Sequence, residues 1–533
     1  MRRVTDPVRS LQILRRHGLV NPLRPREDLR LLRTARKAGP FAAVTLGAAR
    51  REPEAPALTD ERGTLAYGQL DAQANALTHG LSDFGVRPGG VVGILCRDHR
   101  GTVLSLIAAG RLGARAVLLN TGFAKPQLTG VIEREGIATL LLDAELLPLT
   151  DPMPRVLTWA GDGAAPNGAD VPTIDDLIEG RPTTAPPLPG EPGGLVLLTS
   201  GTTGTPKGAP RRRISPLQSA QLLDRIPLSR GAAMVIAAPL HHGTGMAQLA
   251  MGIGLGKEVV LRRAKFDPEA TLAAVATHRA DALILVPTML RRIVELDPAL
   301  RERYDVSSLR TVVCAGSSLS PDLCRRAAAA LGDVLYNVYG STEVANAAVA
   351  TPAELRRAPG TVGRAPLGCR LVLYDKQRQP ISAPETPGTI FASNGLSFSG
   401  YTDGGQKEIV DGMLSTGDVG HFDRDGLLFV DGRDDEMIVS GGENVFPLEV
   451  ENLIAAHDDV CEAAAIGVDD PDFGQRLRVY VAPRADAELD AGEIKDYVKA
   501  NLARHKVPRD VVFVEEIPRN AAGKVPRDWL QQD

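Results

Sequence analysis

Two hydrophobic periods take turns along the first 150 residues. "VVGILC" (91–96), "ARAVLLN" (114–120) and "IATLLLD" (137–143) are short apolar runs, the mark of strands covered on both faces. Between them, "GTVLSLIAAGRLG" (101–113) and "KPQLTGVIEREG" (125–136) read as helices, as does the amphipathic "FAAVTLGAARR" (41–51). The alternation resumes at residues 234–238, 258–261 and 281–286, and continues through "RTVVCAG" and "DVLYNVYG". Such a pattern predicts mostly parallel sheets covered by helices, in two layers of one large α/β domain. Residues 151–192, rich in Pro, Gly, Thr and Ala, predict a long irregular surface connection. Beyond residue 388 glycine turns and short strands dominate. Past residue 447, "PLEVENLIAAHDD", "VCEAAAIGV", "QRLRVYVAP", "AGEIKDYVKANL" and "DVVFVEEIP" suffice for a small α+β domain. The expected divisions are an N-terminal extension (1–40), a large domain (41–433) and a small mobile domain (434–533).

Composition changes this picture little. The 533 residues are 43% hydrophobic and 24% charged, globular values in a chain too long for one core. A net charge of -4 gives no general case for a nucleic-acid partner. The five cysteines, at 96, 314, 324, 369 and 461, form no CxxC pair, so neither a disulfide scaffold nor a zinc site is expected. Cys314 reads as a buried filler. No apolar signal segment follows Met1, and no apolar run is long enough to span a membrane, so the expectation is a cytoplasmic enzyme. The first 37 residues carry eleven Arg or Lys against three Asp or Glu. They read as a helical extension folded onto the body, with weak peripheral contact with an anionic membrane as the alternative.

The chemistry concentrates in "TSGTTGTPKG", Thr199 to Gly208, directly after the apolar run 194–198. A glycine turn at a strand end can aim backbone N–H groups at an anion, while hydroxyls and a lysine add donors and charge. Here Thr199, Ser200, Thr202, Thr203 and Thr205 surround Gly201 and Gly204, and Lys207 follows. The ordinary P-loop, GxxxxGK[ST], does not fit, because Lys207 lies between Pro206 and Gly208. Nor do Gly256-Lys257-Glu258 and Gly523-Lys524-Val525, and the loop has no GxGxxG.

Three further stretches join it: "YGSTE" (Tyr339–Glu343), "STGDVGHFDRDGLLFVDGRDDEMIVSGGENVFPLEVE" and "PRNAAGKV" (518–525). With these four motifs in this order, the chain resembles the adenylate-forming superfamily from about Phe41 to Leu530, and most of all its bacterial fatty-acid acyl-CoA synthetases. The resemblance implies activation of a carboxylic acid, here a fatty acid, by ATP to an acyl-adenylate with release of pyrophosphate. Coenzyme A then displaces AMP. ATP, CoA and the acid would be substrates and Mg²⁺ the activating ion, without flavin, haem or zinc. A homodimer is the further expectation.

Residue by residue, the resemblance implies the following roles. The loop 199–205 and Lys207 hold the outer phosphates. Glu343 holds Mg²⁺, Thr342 donates to the α-phosphate, and Tyr339 stacks on adenine beside Gly340 and Ser341. Gly316 and Ser317 of "CAGSSLS" meet the nucleotide. Asp418 takes the ribose hydroxyls, with Arg433 nearby. Lys524 bridges the attacking carboxylate and the α-phosphate; Pro526 departs from the family pattern just after it. Asp435 is the hinge about which the small domain turns, bringing Gly441, Gly442 and Glu443 towards the CoA tunnel. His241, His242, Gly245, Met246 and Pro287 line the acyl pocket, with His242 orienting or gating.

Two other readings stay open. One is a fatty acyl-AMP ligase delivering to a carrier protein, although the usual extra segment after the hinge is not evident. The other is a non-catalytic nucleotide-binding protein, which the intact Lys207, Glu343, Asp418 and Lys524 oppose.

Overall fold

The computed structural model describes residues 5–161, 171–199, 207–211, 219–394, 400–440, 443–470, 474–485, 487–520 and 524–530. Two sheets form the centre of the large domain. The eight-stranded one has a parallel interior that includes Met234–Ile236, Ala282–Leu285, Thr311–Ala315 and Leu335–Ser341, with antiparallel strands at both ends. The six-stranded one runs in the order Arg155–Trp159, Thr139–Asp143, Val91–Leu95, Arg115–Leu118, Leu195–Thr199, Lys207–Arg211, antiparallel only at its last pair. Helices cover these strands on both faces, and Ile94, Val117, Leu141, Ile284 and Val313 are all buried, as the unbroken hydrophobic stretches require. A third, antiparallel sheet contains Gly388–Ser393, Met413–Phe422 and Leu428–Arg433.

After the 3₁₀ turn Asp434–Glu436, the small domain packs the helices Pro447–Ile454 and Ala491–Asn501 on a five-stranded sheet. The long hairpin Val460–Asp470 and Gly474–Pro483 makes its centre.

Two elements differ from expectation. The stretch 151–192 is not wholly irregular: Arg155–Trp159 pairs in parallel with Thr139–Asp143, and Ile174–Ile178 is a short helix capped by Thr173. Turn-rich composition on both sides concealed that strand. At the N-terminus, the helix Pro25–Arg51 is more than twice as long as the amphipathic segment suggested and is kinked at Gly39, where φ is 82°. The extension lies on the body. His17 Nδ1 is 3.0 Å from the Leu228 carbonyl oxygen, Arg9 pairs with Asp224 at 3.5 Å, and Arg51 donates to the Gly254 carbonyl at 2.8 Å. No helix among the described residues is long and apolar enough to cross a membrane.

Candidate active site

One cavity of about 2200 Å³ lies where the two large sheets, the antiparallel sheet and the small domain meet. Strand ends and the loops after them supply its wall, as expected of an open parallel sheet. Leu335–Ser341 delivers Tyr339, Gly340 and Ser341, and the turn after it delivers Thr342 and Glu343. That turn needs glycine: a Cβ on Gly340 would lie 1.8 Å from the Ala345 carbonyl oxygen. Ala345 itself sits at φ 54°, a strained value for a residue with a side chain.

Asp418 is held from two sides. Tyr339 Oη donates to Oδ2 at 2.5 Å, and Arg433 Nη1 donates to Oδ1 at 3.1 Å. Arg433 Nε also meets Asp435 at 3.2 Å, so the guanidinium links the strand pair to the turn where the small domain begins. Burial, and then the Asp418 carboxylate, push the Tyr339 phenol well above its ordinary range, so it stays a donor.

Glu343 lies in the same wall. Burial opposes its charge, but hydrogen bonds from Tyr401 (2.5 Å) and Ser341 (2.7 Å) outweigh it and hold the carboxyl below its usual range. No group of three or more possible metal ligands occurs among the described residues. A single ionised carboxylate still fits Mg²⁺, which takes one or two carboxylates and fills its other positions with water and substrate phosphates.

His241 and His242 stand with ring centroids 4.4 Å apart. Both imidazoles are kept neutral. Enclosure and the neighbouring ring drive His241 far down, while enclosure and the charge of Lys524 bring His242 down to about 4. His242 Nε2 and Ser317 Oγ are enclosed without a hydrogen-bond partner among the described residues, and both residues line the cavity. Two unsatisfied polar atoms facing one cavity point to a ligand. Lys524 enters from the small domain on a turn closed by Asn520, whose N–H donates to the Lys524 carbonyl and whose Oδ1 accepts from the Lys524 N–H. Pro526, one of the lining residues, does not keep Lys524 from the cavity.

Lys207, Gly316, Met246 and Asp435 line the cavity as well. Lys207 pairs here with Asp403 at 3.1 Å, and its Nζ lies 5.4 Å from the Tyr401 ring centroid. Three residues of the expected acyl pocket do not line it. His241 sits behind His242. Gly245 is packed on its own loop, where a Cβ would be 2.4 Å from the Pro239 carbonyl oxygen. Pro287 is buried as the first residue of a helix, leaving Val286 to face the space. Thr199 is described only as backbone, at the end of its strand; residues 200–206, Gly441 and Gly442 lie outside the described residues, and Glu443 is described only as backbone.

Several contributors were not singled out from sequence. Tyr401 and Asp403 support Glu343 and Lys207 from a loop whose motif-free stretch gave no signal. Asp98 accepts the Leu240 N–H at 3.0 Å and so fastens the loop carrying His242. Leu19 and Pro40 bring the N-terminal extension into the cavity wall, and Phe41 and Val44 continue it along the helix Pro25–Arg51.

The AMP-binding enzyme model matches residues 47–402, and the model of the AMP-binding enzyme C-terminal domain matches residues 449–524. The chain belongs to the AMP-binding enzyme family. Its fold and its membership place it with the adenylate-forming enzymes. Among curated relatives, an indoleacetate–CoA ligase of Aromatoleum aromaticum is 32% identical over 498 residues, 90% of this chain and 95% of that protein. A feruloyl-CoA synthase of Amycolatopsis is 30% identical over 90% of this chain and 95% of its own. A fatty acid–acyl-carrier-protein ligase of Streptomyces coeruleorubidus is 28% identical over 91% and 94%. Among solved structures, the amide bond synthetase McbA of Marinactinospora thermotolerans superposes with a TM-score of 0.80 at 26% identity, covering 93% of this chain and 99% of that one. These relatives include ligases of aromatic acids, so the family match by itself does not select a fatty acid.

Proposed function

We propose that this protein joins a monocarboxylic acid with an apolar body to CoA in two half-reactions that share one cavity, and that Lys524 serves only the first. The obstacle in the first half-reaction is charge: a carboxylate must approach the α-phosphate of a polyanion. Lys524 supplies a cation at the point of approach. Since His242 stays neutral down to about pH 4, its Nε2 can orient the acid without adding a second charge that would repel Lys524. Asp418, already held by Tyr339 and Arg433, keeps lone pairs for the ribose hydroxyls. Thr342 and Ser317 offer hydroxyls to the nucleotide. Mg²⁺ at Glu343 would offset phosphate charge. Lys207 must leave Asp403 to reach the outer phosphates. For the second half-reaction the small domain turns about Asp435, withdrawing Lys524 and admitting CoA.

The observation that carries this reading is the convergence of Lys524, from the far C-terminus, with His242, Glu343, Asp418 and Arg433 around one space. The test is Lys524→Ala, assayed in two halves. Acid-dependent pyrophosphate release should fall about 100-fold or more. Conversion of synthetic acyl-adenylate and CoA to thioester should stay within a few-fold of the unaltered protein. Undiminished pyrophosphate release would overturn the scheme. The relative that charges a carrier protein favours a second acceptor, so CoA and a phosphopantetheinylated carrier should be compared in the same assay.

A further inference from the structure

Away from Lys524, the cavity follows the helix Gly243–Gly254. The residues this helix turns to the space are Gly243, Thr244, Met246, Ala247, Ala250, Met251 and Gly254. Thr244 sets a hydroxyl in the first turn, nearest the reaction centre; the others, spaced by three and four residues, make a single stripe without a polar side chain. Four of the seven are Gly or Ala, so the stripe leaves room beside it. At about 1.5 Å per residue it runs about 16 Å from the reaction centre, enough for an extended chain of roughly 12 carbons.

The stripe ends at the N-terminal extension. A Cβ on Gly254 would stand 3.4 Å from Leu19 Cδ2 and 3.4 Å from Val44 Cγ1. Leu19, Pro40, Phe41 and Val44 all line the cavity, and all four precede residue 47, where the family match begins. The end wall therefore comes from a part of the chain outside the matched family region. It is anchored by the His17, Arg9 and Arg51 contacts and shaped by the kink at Gly39, directly before Pro40 and Phe41.

We propose that the N-terminal segment up to Val44, the extension together with the start of the helix that continues it, closes the far end of the acid's tail site, and that Leu19 and Val44 set the longest unbranched acid the enzyme accepts. This rests on the ligase reading above and adds to it the class of acid. Each methylene laid on the stripe leaves water, which should raise kcat/KM about fourfold per carbon until the tail meets the wall.

The experiment measures kcat/KM of the full chain for straight acids of six to eighteen carbons and for phenylacetate, with ATP, Mg²⁺ and CoA. Val44→Trp should lower the dodecanoate-to-hexanoate ratio at least tenfold, and Leu19→Ala should move the optimum to longer acids. Ratios within twofold of the unaltered protein in both variants would overturn the proposal. So would a uniform loss at all lengths, or a preference of the unaltered protein for phenylacetate over every straight acid. Failure of the ligase reading looks different, because no acid then releases pyrophosphate. Calorimetric titration with the free acids then decides the tail site: loss of dodecanoate binding in Val44→Trp supports it, and equal binding by both proteins refutes it.

Discussion

Single atoms decide two features of the site. At Gly340 a methyl group would collide with the Ala345 backbone, which cannot swing aside as a side chain could. Gly340→Ala should therefore cost about 2–3 kcal/mol, read as a lowered urea midpoint, and should reduce turnover because Thr342 and Glu343 sit in the same turn. Asp98 is the second case. Burial, helped by the nearby Asp143 charge, pushes its carboxyl up to about 7 against the Leu240 hydrogen bond. The unfolded chain releases that proton near pH 4. Between these values the folded state holds more protons than the unfolded state, so this group's contribution to stability falls as pH rises from about 4 to about 7, and is lowest above that. Asp98→Asn keeps an acceptor for Leu240 and removes the titration. The stability of the variant minus that of the unaltered protein should then grow by roughly 1–3 kcal/mol between pH 5 and pH 8, measured by denaturant melts. A constant difference would show that Asp98 does not titrate there.

At the scale of elements, the sequence was readable wherever one period held over several residues. Residues 91–95, 115–118 and 139–143 form the strands that their apolar runs predict, and the motif at Tyr339–Glu343 lies at the strand end where a site needs it. What escaped was set by distant partners. Arg155–Trp159 is a strand because Thr139–Asp143 offers it an edge, and its own neighbourhood reads as turn. Asp98 matters through a residue 142 positions away. His241 and His242 are both expected to line the pocket, yet the start of the helix at Gly243 turns only His242 to the cavity. The extension forms helices that lie on the body, but the basic composition of residues 1–37 drew attention from Leu19, and the amphipathic period of 41–51 did not mark Phe41 and Val44 as residues that reach inside. A charged surface advertises itself in composition; three apolar side chains entering a cavity do not.

The whole molecule is seen in one posture, and a short chain of charges holds it there. Arg291, on the large-domain helix Pro287–Val294, donates to the Cys461 carbonyl at 3.2 Å and to Glu462 at 2.6 Å in the small domain. Glu462 also lies 3.4 Å from Arg519, five residues before Lys524. The large domain is thereby tied, through Glu462, to the segment that carries Lys524 into the cavity. On the proposed two-posture scheme, this tie favours the adenylating arrangement and must break before CoA can react. Arg291→Ala removes it without touching any residue that lines the cavity. If the tie is worth about 1–2 kcal/mol to one posture, its loss should slow acid-dependent pyrophosphate release about 5- to 30-fold. Thioester formation from added acyl-adenylate and CoA should hold its rate or quicken, because the competing posture has weakened. Equal slowing of both half-reactions would mean that Arg291 supports the fold and does not choose between arrangements of the two domains.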